Sequence, residues 1–362
     1  MRKFISYCLC ALAFLSVKAQ DVRMEIPDAY SGSVDSLAFY IDSHCADDEA
    51  KLQALYRWIT THMKYNVFPT FVSVNEKRDE QREIMQALAN RQGVCRDFAK
   101  IFEAVGTRMD IPVYFVEGYT KSGGVVMTEP HAWCVALVND GWYNYDPTFG
   151  MGYIRNQRFV SSPNMDYCKV EPEKFLQTHM PFDPIWQLTP NPYAYHEFDD
   201  GEVRGKSDSL DGHAFRFADS IRISLKQTPV ARLQSINGRI RRNGRPNPLV
   251  DYYLQLNESN MQVYRQREVY DIYKRALKYF NRGVDHFNEA VRYQRVHPRL
   301  GKNDKRKMIA WLDKASEAVA EAGKELQKAH DVPEQYATAL DNLKQAVAET
   351  MEKIRLKNKM LG

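Results

Sequence analysis

Three residues of this chain have the types and the order of a thiol-based catalytic triad: Cys95, His131 and Asp146. A cysteine sulfur is a strong nucleophile as the thiolate, which a neighbouring imidazolium or a helix N-terminus stabilises. The imidazole in turn needs a third group that holds its orientation. The three residue types together predict covalent attack by sulfur on a carbonyl carbon.

The residues around Cys95 predict that it lies in the first turn of a helix. Beyond it, apolar residues recur every three or four positions: Phe98, Ile101, Phe102, Val105 and Met109. This spacing places them on one buried face, and Cys95 shares that face. Two earlier helices are predicted after the N-cap residues Ser33 and Asp47, and a third near residues 83–89.

The chain then changes to patterns typical of antiparallel strands at 112–116, 132–138 and 142–145, with a hairpin turn at 139–141. Helices followed by a sheet predict an α+β domain whose nucleophile helix packs on the sheet. His131 and Asp146 fall on one face, whereas Cys134 points to the other. A two-residue loop at Asp140 and Gly141 would place Asp146 opposite Val135, so a bulge, a longer turn or strand twist must bring it to His131.

The strings around the triad resemble the three signature blocks of the transglutaminase-like superfamily, whose core is papain-like. They are Gly93-Val94-Cys95 with Ala99, His131-Ala132-Trp133, and Trp142 to Asp146-Pro147-Thr148, within residues 47–150. The resemblance implies Cys95 as nucleophile, His131 as general base and acid, and Asp146 as the group that orients the imidazole. More loosely, the whole chain resembles exported Bacteroidetes proteins that join such a core to a helical C-terminal region.

Two further residues are candidates for the oxyanion or substrate site. Gln92 precedes Gly93 and could add a side-chain donor to the backbone N–H of Cys95, although a solvated loop residue is an equal alternative. Trp133 follows His131 on the same strand face. A zinc site built from Cys95, His131, Cys134 and Asp146 is disfavoured by the opposite faces of the strand, and no metal or other cofactor is expected.

The domain organisation follows from composition. Residues 1–19 are typical of a signal peptide, with Arg2 and Lys3 before an apolar stretch too short to span a bilayer. Residues 20–195 form the catalytic domain, including a Pro- and Trp-rich strap at about 163–195. Residues 196–211 form a linker, and 212–362 an all-helical bundle or coiled-coil-like domain with three long helices.

An exported protein of this kind is expected in the periplasm, outside the cell or on its surface. Cys45, Cys134 and Cys168 could form at most one disulfide or remain buried thiols. The net charge of +4 gives no reason to expect a nucleic-acid partner. Arg239, Arg241, Arg242 and Arg245 are explained by the C-terminus of a helix.

The predicted function is thiol-dependent acyl transfer from an amide of a protein or peptide, with cell-wall peptides among the options. Hydrolysis, as in a peptidase or amidase, is preferred because nothing in the sequence indicates a tunnel that would exclude water. The alternatives are an amine-transferring cross-linker and a catalytically silent envelope scaffold, whose helical half would bind a protein partner.

Overall fold

The computed structural model describes residues 24–68, 79–201, 215–244 and 246–361. They form two compact units that divide between Pro181 and Phe182. The sequence places the boundary later, at 196–211; residues 202–214 lie outside the described residues, and the domain assignment stays a prediction. The signal peptide predicted at 1–19 also lies outside them.

The first unit contains helices and strands. Its helices are α1 (Val34–His44), α2 (Asp48–His62), α3 (Glu80–Asn90), α4 (Cys95–Arg108), α5 (Pro147–Met151) and α6 (Pro172–Phe175). Its strands are β1 (Lys64–Tyr65), β2 (Gln92–Gly93), β3 (Val113–Ser122), β4 (Val125–Val138), β5 (Gly141–Tyr145), β6 (Gly152–Arg155), β7 (Arg158–Ser161) and β8 (His179–Pro181).

The first two helices begin where their N-cap residues predict. The Ser33 hydroxyl accepts from the Ser36 N–H at 3.1 Å, and the Asp47 carboxylate accepts from the Ala50 N–H at 2.8 Å. Each bond satisfies one of the amides that a helix start leaves without an internal partner.

The main sheet has the strand order β5–β4–β3–β8, and its pairs are antiparallel. Alternate residues of β4, among them Ala132, Cys134 and Ala136, share one buried core with Phe98 and Phe102 of α4. The predicted α+β architecture, with the nucleophile helix packed on an antiparallel sheet, is therefore confirmed.

The turn between β4 and β5 differs from the predicted one. Asn139 and Asp140 both have positive φ, of 50° and 61°, which forms a two-residue turn one position earlier than expected. Val135 now pairs with Asn144, so the register is shifted by two residues. A two-residue shift keeps every side chain on its predicted face, and it moves Asp146 along the strand toward His131. The earlier turn therefore removes the need for a bulge.

The regular elements of the second unit, in its described residues, are all helices. A 3₁₀ turn at Pro184–Gln187 precedes α7 (Tyr195–Asp200), α8 (Phe217–Lys226), α9 (Pro229–Arg242), α10 (Pro248–Val296), α11 (Lys302–Leu326) and α12 (Glu334–Leu361). Ala290, late in α10, shares a cluster with Met308, early in α11. Val269 shares another with Leu326, at the end of α11. The two helices are therefore antiparallel, and the three predicted long helices are confirmed.

Arg239 has a role that the sequence analysis missed. Its guanidinium donates two hydrogen bonds of 2.7 Å to the carboxylate of Asp183, which is buried. The side chain is thus explained by a buried ion pair rather than by the helix dipole alone. No helix in the described part of the chain combines the length and the apolar character that crossing a bilayer requires.

Candidate active site

Cys95 is the first residue of α4, as predicted. The helix start is fixed by Asp97, whose carboxylate accepts from the Val94 N–H at 2.8 Å. A Cβ at Gly93 would lie 2.7 Å from the Asp97 Cβ, so this cap requires glycine at that position. The sulfur therefore lies at the positive end of the helix dipole, which favours negative charge.

His131 and Asp146 form the second part of the site. The imidazole Nε2 lies 2.7 Å from the Asp146 Oδ2, and both side chains are buried. Burial by itself lowers the pKa of His131, but the charge and hydrogen bond of Asp146, joined by a bond to the Cys95 side chain, raise that pKa to about 10. Since Nε2 is bonded to Asp146, Nδ1 is the ring atom left to meet the sulfur.

Asp146 is held on both of its carboxylate oxygens. Oδ1 accepts from the N–H groups of Thr148 and Phe149, at 2.8 and 3.2 Å, and so caps α5. Burial raises the pKa of Asp146, yet the charge of His131 and the hydrogen bonds from both histidines outweigh it and hold that pKa well below its ordinary value. The carboxylate therefore stays ionised at neutral pH.

His179 is a site residue that the sequence analysis missed. Its Nε2 lies 3.2 Å from the same Asp146 Oδ2, and its Nδ1 lies 2.8 Å from the Thr178 hydroxyl. The ring is fully buried and stacks on Phe175 with centroids 3.9 Å apart. Burial lowers its pKa to about 4, against the opposing effect of Asp146, so His179 is a neutral N–H donor.

His179 could not have been found from periodicity. It lies in β8, a strand of only three residues within the Pro- and aromatic-rich strap. A segment this short carries no alternation to read. The available signal was the position of His179 between two aromatic residues, Phe175 and Phe182. The sequence had already offered His131 as the triad histidine.

Cys95 and His131 open into one cleft of about 730 Å³. Its walls are the end of the β3–β4 hairpin, with Lys121 and Met127, and β6. Tyr65 of β1 also lines it. Burial, followed by the charges of Cys95 and Asp146, raises the pKa of the Tyr65 phenol to about 12. The phenol is therefore neutral at pH 7.

The other described cysteines are free thiols, of which Cys134 is buried and Cys45 and Cys168 are half-buried. Burial raises the pKa of Cys45, raises that of Cys168 to about 12 and raises that of Cys134 well above its ordinary value. Cys134 donates to the Ala99 carbonyl at 3.1 Å, on the face of β4 that packs on α4. It is therefore directed away from His131, as its strand position predicts, and cannot complete a zinc site with it.

The two additional candidates lie outside the cleft lining. Gln92 is exposed in β2, where it pairs with Lys64. Trp133 is fully buried, with its ring centroid 6.1 Å from that of His131 and 5.4 Å from that of His179. Its position suits packing against the histidines, and a role for either residue toward substrate stays a prediction.

One group of side chains in the described residues could hold a metal ion by residue type and distance. It consists of His131, Asp146 and His179, whose ligand atoms lie within 4.8 Å of one another. Both imidazoles meet the same oxygen, at 2.7 and 3.2 Å. Two N–H donors on one carboxylate oxygen account for this geometry. The expectation of no metal remains a prediction.

Residues 35–147 match the sequence profile of the transglutaminase-like superfamily core. This range contains Cys95, His131 and Asp146. This chain carries a transglutaminase-like domain. An uncharacterized protein of Mycobacterium leprae (strain TN) is 36% identical over 96 residues, which cover 25% of this chain and 34% of that protein. The chain thus spans about a third of the curated relative that it matches.

Solved structures similar to part of this chain include a candidate cysteine protease from Cytophaga hutchinsonii, with 23% identity over 34% of this chain and 40% of that one and a TM-score of 0.25. The periplasmic domain of TgpA from Pseudomonas aeruginosa has 21% identity over 34% and 45% of the two chains and a TM-score of 0.28. A TGase has 17% identity over 41% and 38%, with a TM-score of 0.26.

Proposed function

We propose that this protein is a thiol-dependent acyl-transfer enzyme that cleaves an amide bond of a protein or peptide through a Cys95 thioester. The observation that carries the proposal is the meeting of Cys95 and His131 in one open cleft, with Asp146 2.7 Å behind the imidazole. The raised pKa of His131 supports it, because an imidazolium at neutral pH stabilises a thiolate.

In the first half-reaction, the sulfur attacks the amide carbon as the thiolate, its proton being already held by the His131 imidazolium. A C–S bond forms, the C–N bond breaks, and the leaving amine takes the proton from His131. The backbone N–H of Cys95, at the start of α4, is the donor best placed for the oxyanion. Asp146 and His179 do not touch the substrate; they hold the imidazole and its charge.

In the second half-reaction we propose water as the acceptor. Water gives one proton to the neutral His131 while its oxygen attacks the thioester carbon; the C–S bond breaks, the carboxylic acid product leaves, and the sulfur returns to the thiolate beside the His131 imidazolium. An open cleft supports hydrolysis: Tyr153 and Ile154 in its wall are 51% and 53% exposed, so solvent reaches the thioester. An amine would require shelter from water to compete.

The test is mass spectrometry of a cell-envelope protein extract after incubation with the protein and with its Cys95→Ala variant. Cys95-dependent products that gain one water at an amide are expected, and the products define the substrate. Joined peptides would replace the hydrolase with a cross-linker.

A second measurement separates an enzyme from a silent scaffold. Iodoacetamide should alkylate Cys95 faster than Cys45 at pH 6, and His131→Ala should slow the Cys95 reaction alone. Equal rates, unchanged by His131→Ala, would refute the proposal. The predicted export to the periplasm or the cell exterior belongs to the proposal as well, since it decides which proteins the enzyme meets.

A further inference from the structure

One wall of the candidate cleft is the strand β6, one edge of which is not covered by any strand of the described residues. In the described residues, β6 pairs with β7 and with no other strand. The two strands are joined by a two-residue turn at Asn156 and Gln157, both with positive φ. An open strand edge presents unpaired N–H and C=O groups with which another chain can pair.

The register identifies which backbone groups are free. The Ser162 N–H donates to the Met151 carbonyl at 2.9 Å. Met151 and Ser162, which directly precede β6 and follow β7, are therefore a hydrogen-bonded pair of the ladder. Such pairs alternate along an antiparallel ladder, so Tyr153 and Arg155 also bond to β7. The N–H and C=O of Gly152 and Ile154 therefore point away from β7.

The same two residues face the cleft. Gly152, Tyr153 and Ile154 line it together with Cys95. The positions of Gly152 and Ile154 are two residues apart, about 7 Å along the strand, which is the repeat of an extended polypeptide. A Cβ at Gly152 would lie 2.1 Å from the Val160 carbonyl oxygen, so the strand needs glycine where it enters the cleft.

We propose that the substrate binds as an added β-strand on the edge of β6, through the backbone groups of Gly152 and Ile154 that point away from β7. This inference rests on the proposed function and specifies its substrate: an extended polypeptide segment, recognised through its main chain, rather than a glycan or a folded surface. Tyr153, Ile154 and Phe159 supply apolar contacts for its side chains. The scissile amide then lies along the strand at Cys95.

The test uses acetylated tetrapeptide aldehydes, screened as a pool and then singly. The Cys95 sulfur adds to the aldehyde carbon, forming a C–S bond while the carbonyl oxygen takes a proton, so inhibition reports binding beside the sulfur. The best aldehyde is then prepared with one backbone nitrogen methylated at a time. We expect methylation at alternate positions to weaken inhibition by about tenfold or more, and the intervening positions to tolerate it.

The matched protein variants are Ile154→Pro and Ile154→Ala. Both remove the side chain, but only proline removes the outward N–H, which β7 does not use. We expect the proline variant to lose about tenfold in aldehyde affinity relative to the alanine variant, with the rate of Cys95 alkylation by iodoacetamide unchanged.

The outcomes separate the two claims. Slow alkylation of wild-type Cys95 would overturn the proposed function itself. Fast alkylation with no inhibition by any aldehyde, or with equal sensitivity to methylation at every position, would overturn the β6 edge alone. If Ile154→Pro disturbs alkylation, the methylation series on the wild-type protein decides the question.

Discussion

His179 provides a prediction that tests the electrostatics of the site directly. Replacing it with phenylalanine keeps an aromatic ring to stack on Phe175 but removes the N–H that meets Asp146 Oδ2. A hydrogen bond to a charged group is worth about 1.5–3 kcal/mol. At pH 7 the variant should therefore be less stable than the wild type by roughly 2 kcal/mol.

The size of this difference should depend on pH. Burial lowers the folded-state pKa of His179 to about 4, below its ordinary 6.5. As the pH falls below 6.5 the unfolded chain takes up the proton first, so stability is full above 6.5 and is lost toward pH 4. A gap of about 2.5 pKa units corresponds to about 3 kcal/mol, on the order of 1.4 kcal/mol per unit. His179→Phe has no such proton to bind, so a difference of roughly 2 kcal/mol should vanish at about pH 5. Below that pH the variant should be the more stable protein.

The assay is urea unfolding at steps from pH 7.5 to 4, followed by tryptophan fluorescence, since the Trp133 ring lies 5.4 Å from that of His179. Thr178→Val is the matched control, because it removes the hydroxyl at Nδ1 while the titrating ring and its bond to Asp146 remain. Its curve should stay parallel to that of the wild type. A constant gap between His179→Phe and the wild type would refute the assignment of His179 as a neutral buried donor.

Three other substitutions have definite expected outcomes. Cys95→Ala should abolish turnover and change the melting temperature by only a few degrees, because it removes a partly exposed sulfur at a helix start; calorimetry checks this. Gly150→Ala should destabilise by about 1–3 kcal/mol or more in urea unfolding, since the new Cβ would lie 1.8 Å from the Tyr56 hydroxyl oxygen. Arg239→Met should cost about 3–5 kcal/mol because it leaves Asp183 buried and unpaired, and adding Asp183→Asn should restore part of that stability.

Local signals in the sequence predict the helices and the nucleophile position well. Ser33 and Asp47 are strong N-caps, and the apolar stripe after Cys95 fixes the face and the start of α4. These features depend on neighbours within a few residues, which the sequence shows directly. The face of the strand shared by His131 and Asp146 follows in the same way from alternation.

The details that depend on tertiary context were not predictable. Asn139, Asp140 and Gly141 all favour turns, and only the strand pairing selects the first two. His179 reaches Asp146 because β8 pairs with β3, a long-range contact between a three-residue strand and a distant one. The sequence predicts a triad, and the fold places a second histidine, His179, at the carboxylate of Asp146.

The two oxygens of Asp146 have a practical consequence for anyone who needs an inactive form of this protein. One oxygen organises the imidazoles and the other anchors the following helical turn, so a change at this position damages architecture and chemistry at once. An inert but intact version is best made at the sulfur. Natural variants that discard catalysis would be expected to lose the thiol first and to keep the acid longest.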